Sequence, residues 1–535
     1  MERDRLRRDV FAVGEEVRDK KEETRMIVQA KDISKPVREN ADVCIIGSGC
    51  GGGACAKILA EAGKKVVVLE EGGYFTNSDF DMTEQTAYEN LYRERAGQAT
   101  GDLSVTVLQG KCIGGSSTVN WTTSLRTPDY VLDKWAKVFD VRGLSSKDLE
   151  PYFERIEKYL NVHTEPDENH NPNNRIIIDG ARKLGYKARA TGRNTRDCQK
   201  SGACGLGCPF DAKLSVNITY IPDAVKAGAT VFANFRAGAI EVTNSMKQVS
   251  GSVIDQSTQK VKTDFIIEAP VVIVAASAIN SPALLLRSGL ANTSGEVGFH
   301  LTCHLTSAVL GLFDRVIYPA GGIPQSAMCD EFLNRNNDGG GFWIEAVPVY
   351  PTLASLALPG FGERHKALMR QYGHIGASIV LVKETDSEGS VSLNDYGRPS
   401  ISYEVGPRDL EYMKQGLKIA AEIHFAAGAK RVMTLHSVPT EFGSPREIDE
   451  ALASAQWGTN EIALYSAHPL GTCRMAEHPL RSVVNSNCET HDIKGLFVVD
   501  GSVIPTSLGV NPQITILAIA EKTAEWIAEK SLKTR

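Results

Sequence analysis

The sequence lacks three features, each of which would define a class of protein. There is no basic excess, because 59 Lys and Arg face 65 Asp and Glu, and the net charge of −6 argues against binding to nucleic acid. There is no apolar run of transmembrane length, since the longest one, residues 269–279, is too short to cross a bilayer. Internal repeats and low-complexity tracts are also missing, so the composition of the 535 residues is typical of a large globular protein.

Cysteine is scarce, with 11 residues in the chain. A secreted disulfide scaffold is much denser in cysteine, and an odd number cannot pair fully within one chain. The N-terminal segment has no apolar stretch of the kind that a secretion signal contains. We therefore expect a cytoplasmic protein with reduced thiols, and the sequence leaves its oligomeric state open.

The first 40 residues are dominated by charge, with 11 basic and 10 acidic side chains. The two signs nearly cancel and are interspersed, which is typical of a solvated helical surface. Pro36 ends the pattern. We interpret residues 1–40 as a charged helical arm.

A β-α-β pattern follows the charged segment. Residues 41–46 form a short apolar run typical of a buried parallel strand, and Gly47-x-Gly49-x-x-Gly52 comes directly after it. Such glycines permit a tight turn and let the backbone approach a pyrophosphate at a helix N-terminus. The next strand ends at Glu70, 18 residues beyond Gly52, where a carboxylate accepts from a ribose hydroxyl. The pattern predicts a dinucleotide site but does not separate NAD from FAD.

Three further motifs narrow the class of enzyme. They are residues 110–120, residues 466–475 with the string Ser-Ala-His-Pro-Leu-Gly-Thr-Cys-Arg-Met, and residues 498–512 with Gly-Val-Asn-Pro at the end. Together with the glycine motif, they resemble the glucose–methanol–choline (GMC) oxidoreductases, which are FAD enzymes that oxidise alcohols. The His-Pro-Leu-Gly and Gly-Val-Asn-Pro variants are similar to those of the cholesterol oxidase and long-chain alcohol oxidase branches.

The resemblance implies an α/β fold with two domains. One is a Rossmann-like FAD-binding domain, which we expect to comprise residues 41–125, 196–310 and 460–535. The other is an α+β substrate or cap domain built on an antiparallel sheet, which we expect to comprise residues 126–195 and 311–459.

The same resemblance implies a set of cofactor-binding residues. They comprise Gly47, Gly49, Gly52 and Glu70 at the ADP half, Ala237 at the adenine, Gly115, Ser116 and Asn120 on the flavin side, and Asp500 and Gly501 at the pyrophosphate and ribityl chain. Val119 stands where some family members carry a histidine that binds flavin covalently. We therefore expect non-covalent FAD.

Alcohol oxidation removes a proton from oxygen and a hydride from carbon, so the site needs a base beside the flavin. The resemblance implies that His468 is this base and that the Asn511 amide donates to the alcohol oxygen. His304 is expected to be structural, and Glu345 is a candidate second acid near the substrate. The apolar stretch 343–361 fits either a pocket for a hydrophobic alcohol or the core of a sheet. The sequence does not exclude a sugar substrate.

A cysteine motif raises the question of the electron acceptor. Cys198, Cys204 and Cys208, followed by Pro209, match three of the four cysteines of the ferredoxin pattern, with Ser201 at the second position. Three thiolates suit a 3Fe–4S cluster, and the spacing is similar to that of bacterial FAD-dependent glucose dehydrogenases. Structural thiols, a disulfide or a zinc site are the alternatives.

The leading hypothesis from the sequence is an FAD-dependent alcohol dehydrogenase. Its cluster would pass electrons to an acceptor protein or a quinone. The first alternative is an alcohol oxidase that uses O₂ and keeps the cysteines for structure. The second is a non-catalytic flavin electron-transfer subunit.

Overall fold

The computed structural model describes residues 27–533, apart from residues 335 and 338. Its strands, in chain order, are β1 (Ile27–Val28), β2 (Val37–Asn40), β3 (Val43–Ile46), β4 (Val66–Glu70), β5 (Val105–Val107), β6 (Val162–Thr164), β7 (Ala188–Ala190), β8 (Gly192–Asn194), β9 (Thr230–Ala233), β10 (Phe235–Thr243), β11 (Met246–Ile254), β12 (Val261–Ala269), β13 (Val271–Val274), β14 (Thr306–Leu312), β15 (Ala327–Cys329), β16 (Gly341–Ala346), β17 (Ile375–Lys383), β18 (Glu388–Leu393), β19 (Pro399–Glu404), β20 (Arg431–Thr434), β21 (Glu441–Phe442), β22 (Leu464–Ser466) and β23 (Leu496–Val498). Its α-helices are α1 (Cys50–Glu61), α2 (Glu84–Leu91), α3 (Asp129–Phe139), α4 (Ser146–Tyr159), α5 (Pro172–Lys183), α6 (Tyr220–Lys226), α7 (Ser277–Ser288), α8 (Pro351–Ala357), α9 (Gly362–Arg370), α10 (Pro407–Ala426), α11 (Ile448–Ser454) and α12 (Gln513–Lys533).

A parallel sheet forms the centre of the first domain, in the order β1-β9-β4-β3-β13-β23. Every residue of β3 and β4 is buried, as expected for strands covered on both faces. Helix α1 follows β3 and is rich in Gly and Ala, so it packs closely against α6 and α12. The Rossmann-like fold predicted from the sequence is confirmed.

A second sheet, β10-β11-β12-β2, flanks the parallel one. The larger third sheet has the order β21-β20-β14-β17-β16-β15-β7, with β22 pairing with β14 and β5. All its pairings are antiparallel except that of β22 with β5. This is the antiparallel sheet expected for the substrate domain.

The two faces of the third sheet have different neighbours. Helices α5 and α10 pack on one face. On β14 the side chains alternate, so that Thr306, Ala308 and Leu310 point to the opposite face and line a cavity. This cavity separates the antiparallel sheet from the parallel one.

The structure corrects the interpretation of the N-terminal segment as a helical arm. Residues 1–26 lie outside the described part of the chain. Strand β1 pairs with β9 at the edge of the parallel sheet, and β2 pairs with β12. Residues 27–40 are therefore part of the first domain, since their backbone groups complete two sheets.

The packing of α3 and α4 also departs from the expected domain boundary at residue 126. Trp135 and Phe153 are buried in the core formed with the parallel sheet, and α4 packs against α12. Helix α5, by contrast, packs on the antiparallel sheet. Within residues 27–533, no described helix has the length and apolar character needed to cross a membrane.

Candidate active site

A cavity of about 1210 Å³ lies where the parallel strands end. The residues that follow β3, β4, β13 and β23 all contribute to its wall, and so does the inner face of the antiparallel sheet. Ligands of open parallel sheets bind at the carboxyl ends of the strands, because loops there are free to shape a crevice. The fold thus places the predicted dinucleotide motif at the edge of one large cavity.

The glycine motif is required by backbone packing. Gly47 has a φ of +102°, and a Cβ there would lie 2.2 Å from the carbonyl oxygen of Ala275. A Cβ on Gly51 would lie 1.8 Å from the carbonyl oxygen of Val499, and one on Gly52 would lie 1.9 Å from that of Gly47. Gly52 is inside α1 and does not line the cavity, so its role is to allow this contact.

Gly49 occupies the N-cap of α1 and faces the cavity. A Cβ there would meet only the Cα of Gly115, 3.9 Å away, so the backbone is open on this side. The start of α1 carries backbone N–H groups and the positive end of the helix dipole, both of which favour an anion. The site therefore fits the pyrophosphate of a dinucleotide.

Glu70 organises the loop around this helix start. Its Oε2 accepts from the backbone N–H (3.0 Å) and hydroxyl (2.7 Å) of Ser48, and its Oε1 accepts from the N–H of Gly72 (2.8 Å). Burial raises the pKa of this carboxyl, and these hydrogen bonds oppose the change. Because Oε1 accepts one of the bonds that it can take, it keeps a lone pair for a ribose hydroxyl.

A charged group beside Glu70 was missed in the sequence. Glu71 lines the cavity and pairs with Arg93 at 2.9 Å and with Lys111 at 3.9 Å. These cations hold the pKa of Glu71 at about 2 despite burial. Only the fold brings the three residues together, and no sequence motif marks them.

Asp500 lies on the cavity wall, but its carboxylate is used within the protein. Oδ2 accepts from the N–H of Ser277 at 2.9 Å and from the hydroxyl of Ser281, and Oδ1 accepts from the N–H of Ser502 at 2.8 Å. Asp500 thus joins the ends of β13 and β23, and Gly501 beside it lines the cavity through its backbone.

The flavin-side loop is fixed by a buried lysine. Lys213 donates to the carbonyl oxygens of Thr118 (2.5 Å), Asn120 (3.1 Å) and Cys204 (2.7 Å). Burial lowers its pKa to about 8. The Asn120 side chain donates to the Gln513 amide oxygen, which ties the loop to the start of α12.

The predicted catalytic pair lies together at the end of the cavity that faces the antiparallel sheet. His468 Nε2 and Asn511 Nδ2 are 3.5 Å apart. Burial lowers the pKa of His468 to about 4, so its imidazole is neutral at neutral pH. His304 is fully buried behind it, with the two Nδ1 atoms 3.1 Å apart.

Glu345 is the second acid that the sequence raised as a candidate, and it is fully buried on the cavity wall. Neither of its carboxylate oxygens makes a hydrogen bond of good geometry among the described residues, although the Trp343 indole and the Asn511 amide lie near it. Burial raises its pKa to about 7, and the nearby Trp343 indole, Asn511 amide and Arg189 guanidinium limit the rise. An unpartnered buried carboxyl costs free energy, so a ligand is its expected partner.

The three cysteines of the predicted cluster are not part of the cavity wall. Cys204 is buried, whereas Cys198 and Cys208 are partly exposed. Burial raises the pKa of the Cys204 thiol, although Arg193 and Lys213 oppose this. Among residues 27–533 as described, no three His, Cys, Asp or Glu side chains are grouped to hold a metal ion. The residues therefore do not fit the iron–sulfur cluster, nor the zinc alternative, and the cluster prediction is not supported.

The structure brings nearly all other predicted residues to the same cavity. The wall includes Gly47, Gly49, Glu70, Gly115, Ser116, Asn120, Ala237, His468, Asp500, Gly501 and Asn511. The cavity extends from the start of α1, with Ala237 on its wall, to the apolar face of the antiparallel sheet. A parallel sheet with a glycine-rich turn at such a cavity, next to a second sheet that carries titratable groups, is the arrangement expected of a dinucleotide-dependent oxidoreductase.

The chain belongs to the GMC oxidoreductase family. The N-terminal GMC oxidoreductase model matches residues 49–306, and the C-terminal model matches residues 385–520. The protein is therefore an FAD-dependent oxidoreductase that acts on alcohols, and the prediction of FAD is confirmed. The match to the cysteine motif of glucose dehydrogenases is not shown by these comparisons.

Similar proteins extend over most of the chain. A long-chain-alcohol oxidase of Arabidopsis thaliana is 30% identical, with 92% of this chain and 67% of the relative covered. An uncharacterized GMC-type oxidoreductase of Sinorhizobium fredii is 29% identical over 94% of this chain and 97% of its own length. Among solved structures, pyridoxine 4-oxidase (Mesorbium loti) has a TM-score of 0.68 at 21% identity, covering 92% of this chain and 99% of that chain. A formate oxidase variant from Aspergillus oryzae has a TM-score of 0.70 at 18% identity, covering 94% and 100%. These two structures share the fold.

We expect Gly51→Ala to lose FAD. The added Cβ would lie 1.8 Å from the Val499 carbonyl oxygen, so α1 must shift away from the end of β23. Overpacking of this kind costs about 1–3 kcal/mol, which corresponds to a roughly 5- to 150-fold increase in the Kd for FAD. The measurement is the flavin absorbance per protein after gel filtration. Gly373→Ala is the control, because a Cβ there meets no atom within 4 Å. Equal FAD content in both variants would contradict the packing argument.

Proposed function

We propose that this protein is an alcohol oxidase that converts an apolar alcohol to an aldehyde or ketone and passes the electrons from FAD to O₂. The observation that carries the proposal is the apolar end of the cavity, which continues from the His468–Asn511 pair. The similarity to long-chain-alcohol oxidases supports the same substrate class. The alternative of a sugar substrate receives no support from this wall.

The apolar end is formed by strand side chains and by one short helix. Its lining residues are Ala308, Leu310, Val347, Val349, Leu353, Ala354, Leu358, Ile375, Ile379 and Leu435. Glu345 is the only charged side chain among the described residues here, and it lies at the inner end with Asn511. A hydrocarbon chain gains about 0.8 kcal/mol per buried CH₂ on such a surface. The geometry therefore fits an alcohol with a hydroxyl at one end and an apolar body.

The sequence does not decide whether residues 343–361 line a pocket or belong to the core of the sheet. In the structure, the segment does both. Glu345, Val347 and Val349 line the cavity, whereas Ile344 and Ala346 point into the core under α5 and α10. Alternation along an extended chain explains the division. Phe361, at the end of the segment, is 91% exposed and does not line the cavity.

Residues predicted from the family resemblance would hold FAD in this arrangement. Gly49 and the start of α1 face the pyrophosphate, Glu70 the ribose, and Asn120 the flavin side. Val119 supplies no group for a covalent bond to flavin, so the cofactor is non-covalent. When bound, FAD supplies the acceptor for the hydride from the alcohol carbon.

The alcohol oxygen is held by His468 and Asn511, and its proton goes to Glu345. The carboxylate suits this role because both its oxygens are unpartnered and because it is close to Asn511. With a pKa of about 7, roughly half of this carboxyl is ionised at pH 7, which suits a group that takes up a proton near neutral pH. This assignment replaces the expectation that His468 is the base, and His468 becomes a group that orients the oxygen.

We assign the electrons to O₂ because the cysteines do not fit a relay. The thiols of Cys198, Cys204 and Cys208 are then structural, as in the first alternative raised from the sequence. The Cys204 carbonyl accepts from Lys213, which also binds the flavin-side loop, so the cysteine segment supports that loop. A non-catalytic flavin subunit is disfavoured because Glu345, His468 and Asn511 converge on one cavity.

We expect hydrogen peroxide and the carbonyl product in equal amounts from an apolar alcohol and air. The experiment uses the purified holoenzyme, and peroxide is compared with aldehyde or ketone in the same sample. A triple variant with Cys198→Ser, Cys204→Ala and Cys208→Ser should keep this ratio, because no electron passes through these thiols. Iron bound in proportion to FAD, with turnover only in the presence of an added one-electron acceptor, would overturn the oxidase assignment and restore the relay. No turnover with any alcohol would favour the flavin subunit.

We expect Ala354→Phe to shorten the range of accepted alcohols. Ala354 is buried on the wall of the apolar end, so a phenyl group there fills space that a long chain needs. Loss of a few buried methylenes lowers kcat/KM by about tenfold or more for long-chain alcohols, whereas short-chain alcohols should react as before. Leu356→Phe is the matched control on the same helix, because Leu356 is 78% exposed. Equal losses for short and long alcohols would contradict the assigned position of the chain.

The pH dependence tests the proton acceptor. If Glu345 takes the proton, it must be ionised, so kcat/KM should rise with pH through about 7 and then level off. Glu345→Gln should remove this rise and lower kcat by about 10²–10⁴, the usual contribution of a positioned base. If His468 were the acceptor, the rise would instead be centred near 4. Flavin content in Glu345→Gln provides the control for folding.

A further inference from the structure

His304 occupies a position that settles which of its ring nitrogens carries the proton. Its Nε2 lies 3.0 Å from the backbone nitrogen of Leu508 and 3.2 Å from that of Gly509. Backbone N–H groups can only donate, so Nε2 must accept both hydrogen bonds and carry no proton. In a neutral imidazole the proton is then on Nδ1.

The proton on His304 Nδ1 in turn determines the state of His468. The two Nδ1 atoms are 3.1 Å apart, so His304 donates and His468 accepts. Burial lowers the pKa of both rings below neutral pH, with Lys383 adding to the effect on His304. Neither ring is therefore doubly protonated at neutral pH, and the single proton of His468 is on Nε2.

The His304 ring is held in place by more than its hydrogen bonds. It packs edge-to-face against the rings of Trp343 and His468, with centroid distances of 5.1 Å in both cases. Its backbone has a φ of +45°, in the left-handed region that non-glycine residues adopt at a cost of about 1–3 kcal/mol. The surrounding contacts compensate this cost, and the ring cannot turn without losing two bonds to the backbone.

We propose that His304 is a positioning residue that holds His468 in the Nε2–H tautomer, so that His468 and Asn511 present two donors to the alcohol oxygen. The proposal rests on the function proposed above and deepens it. With His468 protonated on Nε2, the 3.5 Å contact between this atom and Asn511 Nδ2 joins two donors, so it is not a hydrogen bond. An alcohol oxygen placed between the two groups would accept a hydrogen bond from each.

In this arrangement, one group takes the proton of the alcohol, and two other groups stabilise the charge on its oxygen. The O–H bond breaks, a new O–H bond forms on the Glu345 carboxylate, and the electron pair stays on the alcohol oxygen. The two N–H groups stabilise the negative charge that develops there. His468 cannot take the proton itself, because its only unprotonated nitrogen accepts from His304.

The direct test is the tautomer of His468 in the holoenzyme without alcohol. Protein labelled with ¹⁵N-histidine gives separate signals for protonated and unprotonated ring nitrogens, and loss of signals in His468→Gln assigns them. We expect Nε2 protonated and Nδ1 unprotonated in His468, and Nδ1 protonated in His304. A His468 with the proton on Nδ1 would overturn the proposal. This readout needs no turnover, so it stays valid even if the protein proves not to be an alcohol oxidase.

Variants of His304 provide the second arm. His304→Phe keeps the ring and removes both nitrogens, so His468 should populate both tautomers and kcat should fall by about 10–100-fold, the range seen when an orienting partner behind a functional histidine is lost. His304→Gln offers an amide oxygen to the backbone and an N–H to His468, and it should restore the Nε2–H tautomer and part of kcat. His424→Gln is the control for replacing a fully buried histidine elsewhere.

The two arms distinguish a positioning role from a structural one. If His304 only fills space, His304→Phe should keep the wild-type tautomer of His468 and the wild-type kcat, which would overturn the proposal. If FAD binding and stability alone change in both variants, with the tautomer fixed, the same conclusion follows. If the tautomer matches our expectation but no alcohol is oxidised, the proposed function fails and the positioning role stands.

Discussion

The close approach of backbone segments at the ends of β3 and β23 is the constraint on which the site depends. Gly47 touches the end of β13, and Gly51 touches the end of β23. No side chain fits between these segments, so the helix start, the Asp500 loop and the catalytic segment are drawn to one edge of the sheet. The cavity is the space that remains in front of them, and the antiparallel sheet closes it on the other side.

The buried acids of the cavity divide into two groups by their partners. Glu70 and Asp500 each accept three hydrogen bonds from the protein, so they hold loops in position. Among the described residues, Glu345 accepts no hydrogen bond of good geometry, and only the Trp343 indole and the Asn511 amide are close donors. Because an unpaired buried carboxyl is destabilising, its persistence at the inner end of an apolar pocket indicates a functional group rather than a structural one.

The sequence predicts the fold and much of the site because its motifs act locally. The glycine motif, Glu70 and the strands on either side lie within thirty residues, and their spacing reflects backbone geometry that any chain must obey. His468 and Asn511 were found through the family resemblance, and they are neighbours in the structure. The cluster predicted from the cysteine motif is not supported, because spacing along the chain does not reveal whether three thiols are arranged to hold a metal.

Other features depend on contacts between distant segments, and no local pattern marks them. The interpretation of residues 27–40 as part of a helical arm is wrong because mixed charges are found on exposed helices and on edge strands alike. Only the pairing of β1 with β9 and of β2 with β12 distinguishes the two structures. The pairing of Glu71 with Arg93 and Lys111 likewise arises from the fold alone.

The sequence around His304 gives no indication of the contacts that this residue makes in the fold. Its partners are about 160 to 200 residues away, and two of them are backbone N–H groups that no residue type identifies. Those two donors require an unprotonated Nε2 in His304, so the proton of this ring is on Nδ1. His304 Nδ1 then donates to His468 Nδ1, which leaves the proton of His468 on Nε2. In our proposal, His468, which the family resemblance suggests as the base, therefore acts as a hydrogen-bond donor. The same proposal assigns the proton to Glu345, which lies near Asn511, and burial at the inner end of the apolar pocket raises the pKa of this carboxyl.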